Sequence, residues 1–370
     1  MKQLYFLFFL LNVSFFFAQE EEKELKPFSV EFDYFYGSIL EHNPDINHLI
    51  IDHPTGFVLT YNRKTYGFNE WERRFNYPDW GFTFVYQDMK NPILGKNYSI
   101  YGHFNWYFLN RNLVIRLGQG IAYNTNPYDG DTNFRNNAYG TNLLSSTFLK
   151  VNFTRERIFD GFGFHAGFSI IHYSNANIKA PNNSTNSFVL NAGLSYQFDY
   201  ENFPDYIPRS KKEKYSEPIH YNFAFRSGYN ESDIIGQGQF VFYVFSAFVD
   251  KKIGKKSTFV AGTELFLANF LKEQIRFQSI AFPELGVTGD EDYKRVGIFI
   301  GHELRFNKVA FVSQLGYYVY YPYDFEGRIY NRLGLKRYFG KSEKIFGSVT
   351  VKAHGAKAEA VEFSIGIRFR

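Results

Sequence analysis

From Phe28 onward the chain alternates apolar and polar positions in runs of about ten to fifteen residues, separated by stretches rich in Asn, Gly and charge. Side chains on a strand point to opposite faces in turn, so a period of two predicts β-strands. The segments are 28–39, 56–67, 80–90, 98–110, 113–124, 143–153, 161–175 and 187–200. A second series follows at 221–229, 238–251, 257–268, 293–307, 309–321, 329–339, 344–354 and 358–370. Strands of this length can cross a bilayer at a tilt, whereas those of a soluble sandwich run to about five or six residues. The predicted fold is therefore all-β, a transmembrane antiparallel β-barrel.

The last segment sharpens that expectation. Phe363, Ile365, Ile367 and Phe369 alternate with Ser364, Gly366 and Arg368. In a membrane barrel the apolar row faces lipid and the other row faces the lumen. An aromatic beside the C-terminus resembles the final strand of outer-membrane barrels. Residues 110–112 and 307–308 read as tight periplasmic turns, and 42–53, 126–139 and 272–292 as external loops. The stretch 201–217 is long where a short turn is expected.

That break reads as a seam. "GHFNWYFLNRNLVIRLGQGIAYNTNPYD" (102–129) has an echo in "GHELRFNKVAFVSQLGYYVYYPYD" (301–324), and each half carries a histidine near a strand tip, His172 and His354. The chain divides into residues 1–18 as a secretory signal, 19–200 as a first barrel half, 201–217 as a linker or periplasmic turn, and 218–370 as a second half, a duplication of an eight-strand unit. Evenly matched strand pairing favours one barrel of about sixteen strands. The alternative is two tandem eight-stranded barrels, favoured by the charged linker 209–214.

Composition narrows the function. Aromatics are 21% of the 370 residues and charged residues another 21%, with a mean hydropathy of −0.33, which excludes a polytopic helical membrane protein. A net charge of +4, from 41 basic and 37 acidic residues, is too balanced for nucleic-acid binding. With no cysteine there is no disulfide scaffold, thiol nucleophile or thiolate metal site. Met1 and Lys2 followed by the apolar run 4–17 and Ala18 read as the export signal. After it no run is long enough for a spanning helix, so membrane residence would come from strands.

One stretch carries candidate chemistry: "GFHAGFSIIHYSNANIKAPNNSTNSFVLNAGLSYQF" (163–198). Phe164, Ala166, Phe168 and Ile170 form an apolar, lipid-facing row that His172 and Ser174 continue. Phe188, Leu190, Ala192 and Leu194 form the matching row of the next strand, with Asn186 at its start. A hairpin centred near Ala180 would set 174 opposite 186. Polar groups on a lipid-facing row are costly to desolvate unless they satisfy one another. A serine becomes nucleophilic when an imidazole accepts its proton and a third group holds the ring. Ser174, His172 and Asn186 are the candidates for those roles. Donors for an oxyanion are the amides of Asn175 and Asn182 or backbone N–H groups of the loop.

The motif "HYSNANIKAPN" (172–182) resembles the signature of the outer-membrane lipid A 3-O-deacylases, the acyloxyacyl hydrolase family. The resemblance covers about 56–198 and implies a barrel whose outer wall bears the serine and histidine that remove an acyl chain from lipid A. It implies Ser174 as nucleophile, His172 as base, and Asn175 and Asn182 at the oxyanion, with lipopolysaccharide and the outer membrane as partners and no cofactor. The family has a glutamate twelve residues after the serine, where this chain has Asn186. That departure resembles outer-membrane phospholipase A, whose triad is Ser-His-Asn, and only that reading would bring in calcium. A reading of another class is a porin-like or structural barrel, since small inward residues such as Gly167, Ser169, Gly193 and Ser195 do not separate a filled lumen from a pore.

Other motifs carry less. His42, His48 and His53 with Asp45 and Asp52 offer metal ligands at irregular spacing in an external loop. Asp129 to Asn133 begins like a calcium loop, but Phe134 stands where the glycine belongs and Gly140 where the bidentate glutamate belongs. Gly118-Gln119-Gly120 is too short for a nucleotide fingerprint and falls within a strand. The second half keeps a histidine in Lys352 to Ala356 but lacks the serine.

Overall fold

The computed structural model describes residues 27–209 and 214–370; the expected export signal and the middle of the charged run 209–214 lie outside them. Among the described residues sixteen strands form: β1 (Phe28–Leu40), β2 (Thr55–Arg63), β3 (Asp79–Asp88), β4 (Lys96–Phe108), β5 (Leu113–Asn124), β6 (Leu143–Phe159), β7 (Phe162–Ser174) and β8 (Thr185–Gln197), then β9 (His220–Asn230), β10 (Phe240–Lys252), β11 (Ser257–Ala268), β12 (Lys294–Phe306), β13 (Val309–Tyr320), β14 (Ile329–Phe339), β15 (Ile345–His354) and β16 (Lys357–Phe369).

They close as two eight-stranded antiparallel barrels. The expectation of one barrel of about sixteen strands is corrected, and the tandem alternative is the observed fold. The reason is edge closure. β8 pairs with β1 over twelve positions, from Ser29↔Gln197 to Leu40↔Asn186, and β16 pairs with β9 from Phe363↔Ser227 to Phe369↔Tyr221. Neither sheet keeps a free edge for the other to join. Even strand lengths suit either closure, so they could not decide between them.

Eight strands leave an interior just wide enough for side chains to fill, and large polar side chains fill both. In the first barrel Arg116 Nη2 lies 2.8 Å from Glu31, Lys150 Nζ 2.8 Å from Asp33, and His165 Nε2 2.7 Å from Asp33. In the second, Arg332 bridges Glu264 and Glu362, Arg226 also reaches Glu264, and Lys336 lies 2.8 Å from Glu303. Buried charges persist when each meets an opposite partner and further donors. Outward rows are apolar, with Phe32, Leu190, Leu194, Ile300 and Ile365 all exposed.

Each barrel mouth is stoppered by apolar side chains. In the first, Ile46 and Leu49 of the 3-10 turn Pro44–Leu49 fold inward onto Phe35, Tyr139, Phe148, Ile171 and Tyr173. In the second, the helix Asn269–Ala281 overlaps the start of the loop expected at 272–292, and its Phe270, Leu271 and Ile275 pack on Phe242, Phe266 and Tyr318. Apolar positions four apart, 271 and 275, were its trace in the sequence. Among the described residues no helix is long and apolar enough to cross a membrane.

The barrels touch at both ends. At the linker end the rings of Phe75 and Phe306 stack at 4.3 Å and Lys255 Nζ lies 2.6 Å from Glu70. At the other end the β7–β8 loop meets the β9–β10 loop, where the backbone N–H of Glu231 donates to Asn177 O at 2.9 Å.

The lumen pairs predict a large cost for breaking one. Arg332→Met removes the shared partner of Glu264 and Glu362 and should destabilise the barrel by about 3–5 kcal/mol. Urea titration in detergent micelles measures this, and an unchanged midpoint would mean that water already solvates those carboxylates.

Candidate functional site

The parity of β7 sorts its side chains. His165, Ser169, Ile171 and Tyr173 are buried, while Phe164 is exposed and Ala166, Phe168, Ile170 and His172 are half-buried on the other row. His172 therefore stands on the outward face, and Ser174, two residues on, is the last residue of the strand. Beneath them Ile171, Tyr173 and Phe148 belong to the packed mouth of the barrel, a rigid backing for the outward row.

The register differs from the expected one by two residues. Asn186 lies opposite His172, and the last pair before the loop is Tyr173↔Thr185. The expectation that 186 faces 174 is corrected, because the hairpin centres one residue earlier than Ala180. A two-residue shift keeps the face and brings Asn186 directly to the imidazole: His172 Nδ1 lies 2.8 Å from Asn186 Oδ1. A carbonyl oxygen only accepts, so this bond puts the hydrogen on Nδ1 and leaves Nε2 with its lone pair.

Ser174 is buried and belongs to a second cluster. Its Oγ donates to Asn182 Oδ1 at 3.0 Å, and the backbone N–H of Asn175 donates to the same oxygen at 2.8 Å. Ala176 N–H donates to Ser174 Oγ at 2.9 Å. Two N–H and O–H donors converging on one atom of Asn182 identify it as the amide oxygen. The Asn182 amide nitrogen turns to Asn177 Oδ1, and that of Asn175 donates to Lys179 O at 2.6 Å. Both side-chain amides are thus engaged within the loop, and the donor beside the serine is the Asn175 backbone N–H. Asn175 Oδ1 is buried with no partner among the described residues.

The structure brings His172 to Asn186, and Ser174 to Asn175 and Asn182. Ser174 Oγ is turned to Asn182 and not to the imidazole, although the two side chains share a face about 7 Å apart along the strand.

The loop has a tight shape. Ala176 and Asn177 adopt φ of 51° and 60°, a left-handed region that a residue with a Cβ enters at a cost of about 1–2 kcal/mol. It is held from three sides. His42 Nε2 reaches Ser184 Oγ at 3.1 Å. Asn183 and Ser184 N–H donate to Asn137 and Ala138 O of the β5–β6 loop. The third side is the second barrel's β9–β10 loop. Gly140 permits the close approach, since a Cβ there would lie 2.6 Å from Lys179 O.

One part of the outward surface escaped the sequence reading. Gln119 of β5 and Ser145 and Thr147 of β6 lie on the outward rows, and Thr147 and Ser145 pair with His172 and Ser174 across β6–β7. Gln119 Oε1 accepts from Thr147 Oγ1 at 2.7 Å, and its Nε2 donates to Ser145 Oγ at 3.1 Å. The polar patch therefore spans four strands. Polar residues at outward parity in β5 and β6 were the available signal, but only the register shows that they share the height of His172.

The other candidates separate. His48 bonds Arg135 O and His53 bonds Ser38 Oγ, so His42, His48 and His53 face different partners, with Asp45 and Asp52 outside those bonds. Asp129 Oδ1 accepts from Asp131 and Thr132 as a local turn. Among the described residues the group with metal-like spacing is Glu31, Asp33 and His165, where Lys150 and Arg116 already neutralise the carboxylates. His354 is turned into the second lumen, 2.8 Å from Glu359, so the outward site is not repeated there.

Fold and site together describe a tandem β-barrel with a polar histidine–serine–asparagine cluster on the outer wall of its first barrel. The model of the family "Lipid A 3-O-deacylase (PagL)" matches residues 55–195, and that of "Acyloxyacyl hydrolase, C-terminal domain" matches residues 219–370. The chain belongs to the lipid A 3-O-deacylase family, with its acyloxyacyl hydrolase C-terminal domain. No curated protein matches it by sequence. Solved structures that align include Pseudomonas aeruginosa OccK11 (OpdR), at 9% identity and TM-score 0.21 over 93% of this chain and 95% of that one. A mutant of Rh. blastica porin aligns at 7% identity and TM-score 0.18 over 93% and 100%. The fold is defined by the strand pairing itself.

The contact at Gly140 yields a prediction. Gly140→Val should push the 175–182 loop outward and speed amide hydrogen exchange at Asn175 and Ala176 while β7 stays protected. Unchanged exchange would show that the loop is not held from this side.

Proposed function

We propose that the chain is an outer-membrane serine esterase that hydrolyses an acyl ester of lipid A. The observation that carries this reading is the His172–Asn186 pair on the outward row, with Ser174 two residues away at the strand's end. An ester of a membrane-embedded lipid presents its carbonyl to that row, at the height where apolar side chains give way to polar ones. The family match to lipid A deacylase models supports the substrate class.

In the proposed reaction Ser174 Oγ turns from Asn182 to His172 Nε2, which takes its proton as Oγ attacks the ester carbonyl. The Asn175 N–H stabilises the oxyanion. The tetrahedral intermediate collapses, the ester C–O bond breaks, and His172 returns the proton to the leaving oxygen. Water, deprotonated by His172, then attacks the acyl-serine and frees the fatty acid and Ser174. Asn186 holds the ring in the tautomer that leaves Nε2 basic but, being neutral, offers the imidazolium less than a carboxylate would. Gln119, Ser145 and Thr147 supply polar contacts beside the reacting ester.

Asn186 favours one second reading, a phospholipase A, in which calcium would take part. Phospholipid turnover in mixed micelles with and without chelator separates it from lipid A deacylation. The porin-like reading is disfavoured by lumens that are filled with ion pairs.

Mass spectrometry of lipid A from cells expressing the chain should show loss of one acyl chain, and Ser174→Ala or His172→Ala should cut that activity about a thousandfold or more. Identical lipid profiles in all three strains would remove the deacylase reading. Asn186→Glu should retain or raise the rate, because a carboxylate at that place stabilises the imidazolium, whereas Asn186→Leu should lower it about a hundredfold. A dead but folded Asn186→Glu enzyme would count against the assignment of this third residue.

A further inference from the structure

The β7–β8 loop does not hold itself. Its backbone at Asn177, Ile178 and Ala180 bonds to the β9–β10 loop of the second barrel, a region that the proposed reaction leaves without a role. Glu231 is at the centre of that contact. It is 4% exposed, and its Oε2 accepts from Ala180 N–H at 2.9 Å while its Oε1 accepts from Gly238 N–H at 2.9 Å. Its own N–H donates to Asn177 O at 2.9 Å. Beside it, Asn177 Nδ2 donates to Asp233 Oδ1 at 3.3 Å, and Gln239 Nε2 donates to Ile178 O at 2.8 Å.

These bonds lead to the serine in a short chain. Ser174 Oγ donates to Asn182 Oδ1, Asn182 Nδ2 to Asn177 Oδ1, and the backbone of Asn177 is fixed by Glu231. A carboxylate suits the place, because its two oxygens satisfy N–H groups of two loops at once. A glutamine offers one acceptor, and its NH2 would meet the second N–H donor head-on. Gly238, at φ 93°, allows the β9–β10 loop to curl back and present its N–H.

We propose that the second barrel serves the first as a clamp on the serine-bearing loop, with Glu231 as its positioning residue. This rests on the reading of Ser174 as the nucleophile. The clamp holds the Asn175 N–H and Asn182 where the oxyanion forms, so its loss displaces reacting groups and leaves the outward wall that receives the acyl chains intact. The duplicated half thus keeps the fold of its partner and contributes a loop to the partner's site.

The test uses the full chain in detergent micelles with lipid A as substrate, following fatty-acid release. Glu231→Gln should lower kcat about ten- to a hundredfold with KM within about twofold. Gln239→Ala, at an exposed position, should lower kcat in the same direction by a smaller factor. Arg276→Ala removes an exposed ion pair of the second barrel that does not reach the 175–182 loop and should match the wild type. Wild-type rates in folded Glu231→Gln overturn the clamp. Should that variant fail to fold, a wild-type kcat in Gln239→Ala overturns it instead. A wild type that releases no fatty acid overturns the serine assignment first, and the clamp with it.

Discussion

Backbone pairing without a free edge is the constraint on which the structure depends. Once β8 returns to β1 and β16 to β9, every strand residue is assigned to a lumen or to an outer wall. An eight-strand lumen must be filled, and here it is filled by arginine, lysine and carboxylate side chains that neutralise one another. The outer wall must be apolar where it meets lipid, so any polar cluster on it carries a desolvation cost that mutual hydrogen bonds offset only in part. His172, Asn186 and their neighbours are polar side chains on outward rows that elsewhere carry leucine and phenylalanine.

The same constraint explains how the site is held. Rigid strands set His172 against Asn186, while Ser174 stands at the point where the strand gives way to a loop with two left-handed residues. Asn182 Oδ1 accepts from both the Ser174 hydroxyl and the Asn175 N–H. Ser174 is thus bonded to the Asn-rich loop, and His172 to the neighbouring strand. That loop draws its support from three other connections, one of them in the second barrel.

Much of this was legible in the sequence. The alternation located all sixteen strands, with the bounds of β5, β11 and β14 matched at both ends, because period two persists on walls that are apolar on one side. His172, Ser174 and Asn186 stood out as polar residues continuing an outward row. Closure was not legible, since strand pairing at a distance leaves no local trace, and the long 201–217 stretch pointed only weakly to it. The two-residue register shift was hidden for a similar reason: the compact turns at Ala176 and Asn177 moved the centre of the hairpin without changing any face. Gln119 and Thr147 gained meaning only when register set them beside His172, and Glu231 only when the barrels came together.

Reaction with a lipid-like phosphonate ester, followed by peptide mass spectrometry, identifies the nucleophile, because a phosphonate traps the residue that attacks at the ester. One covalent adduct is expected, on Ser174, and it is lost in His172→Ala. An adduct on another residue, or unmodified Ser174 in protein that cleaves lipid A, would contradict it.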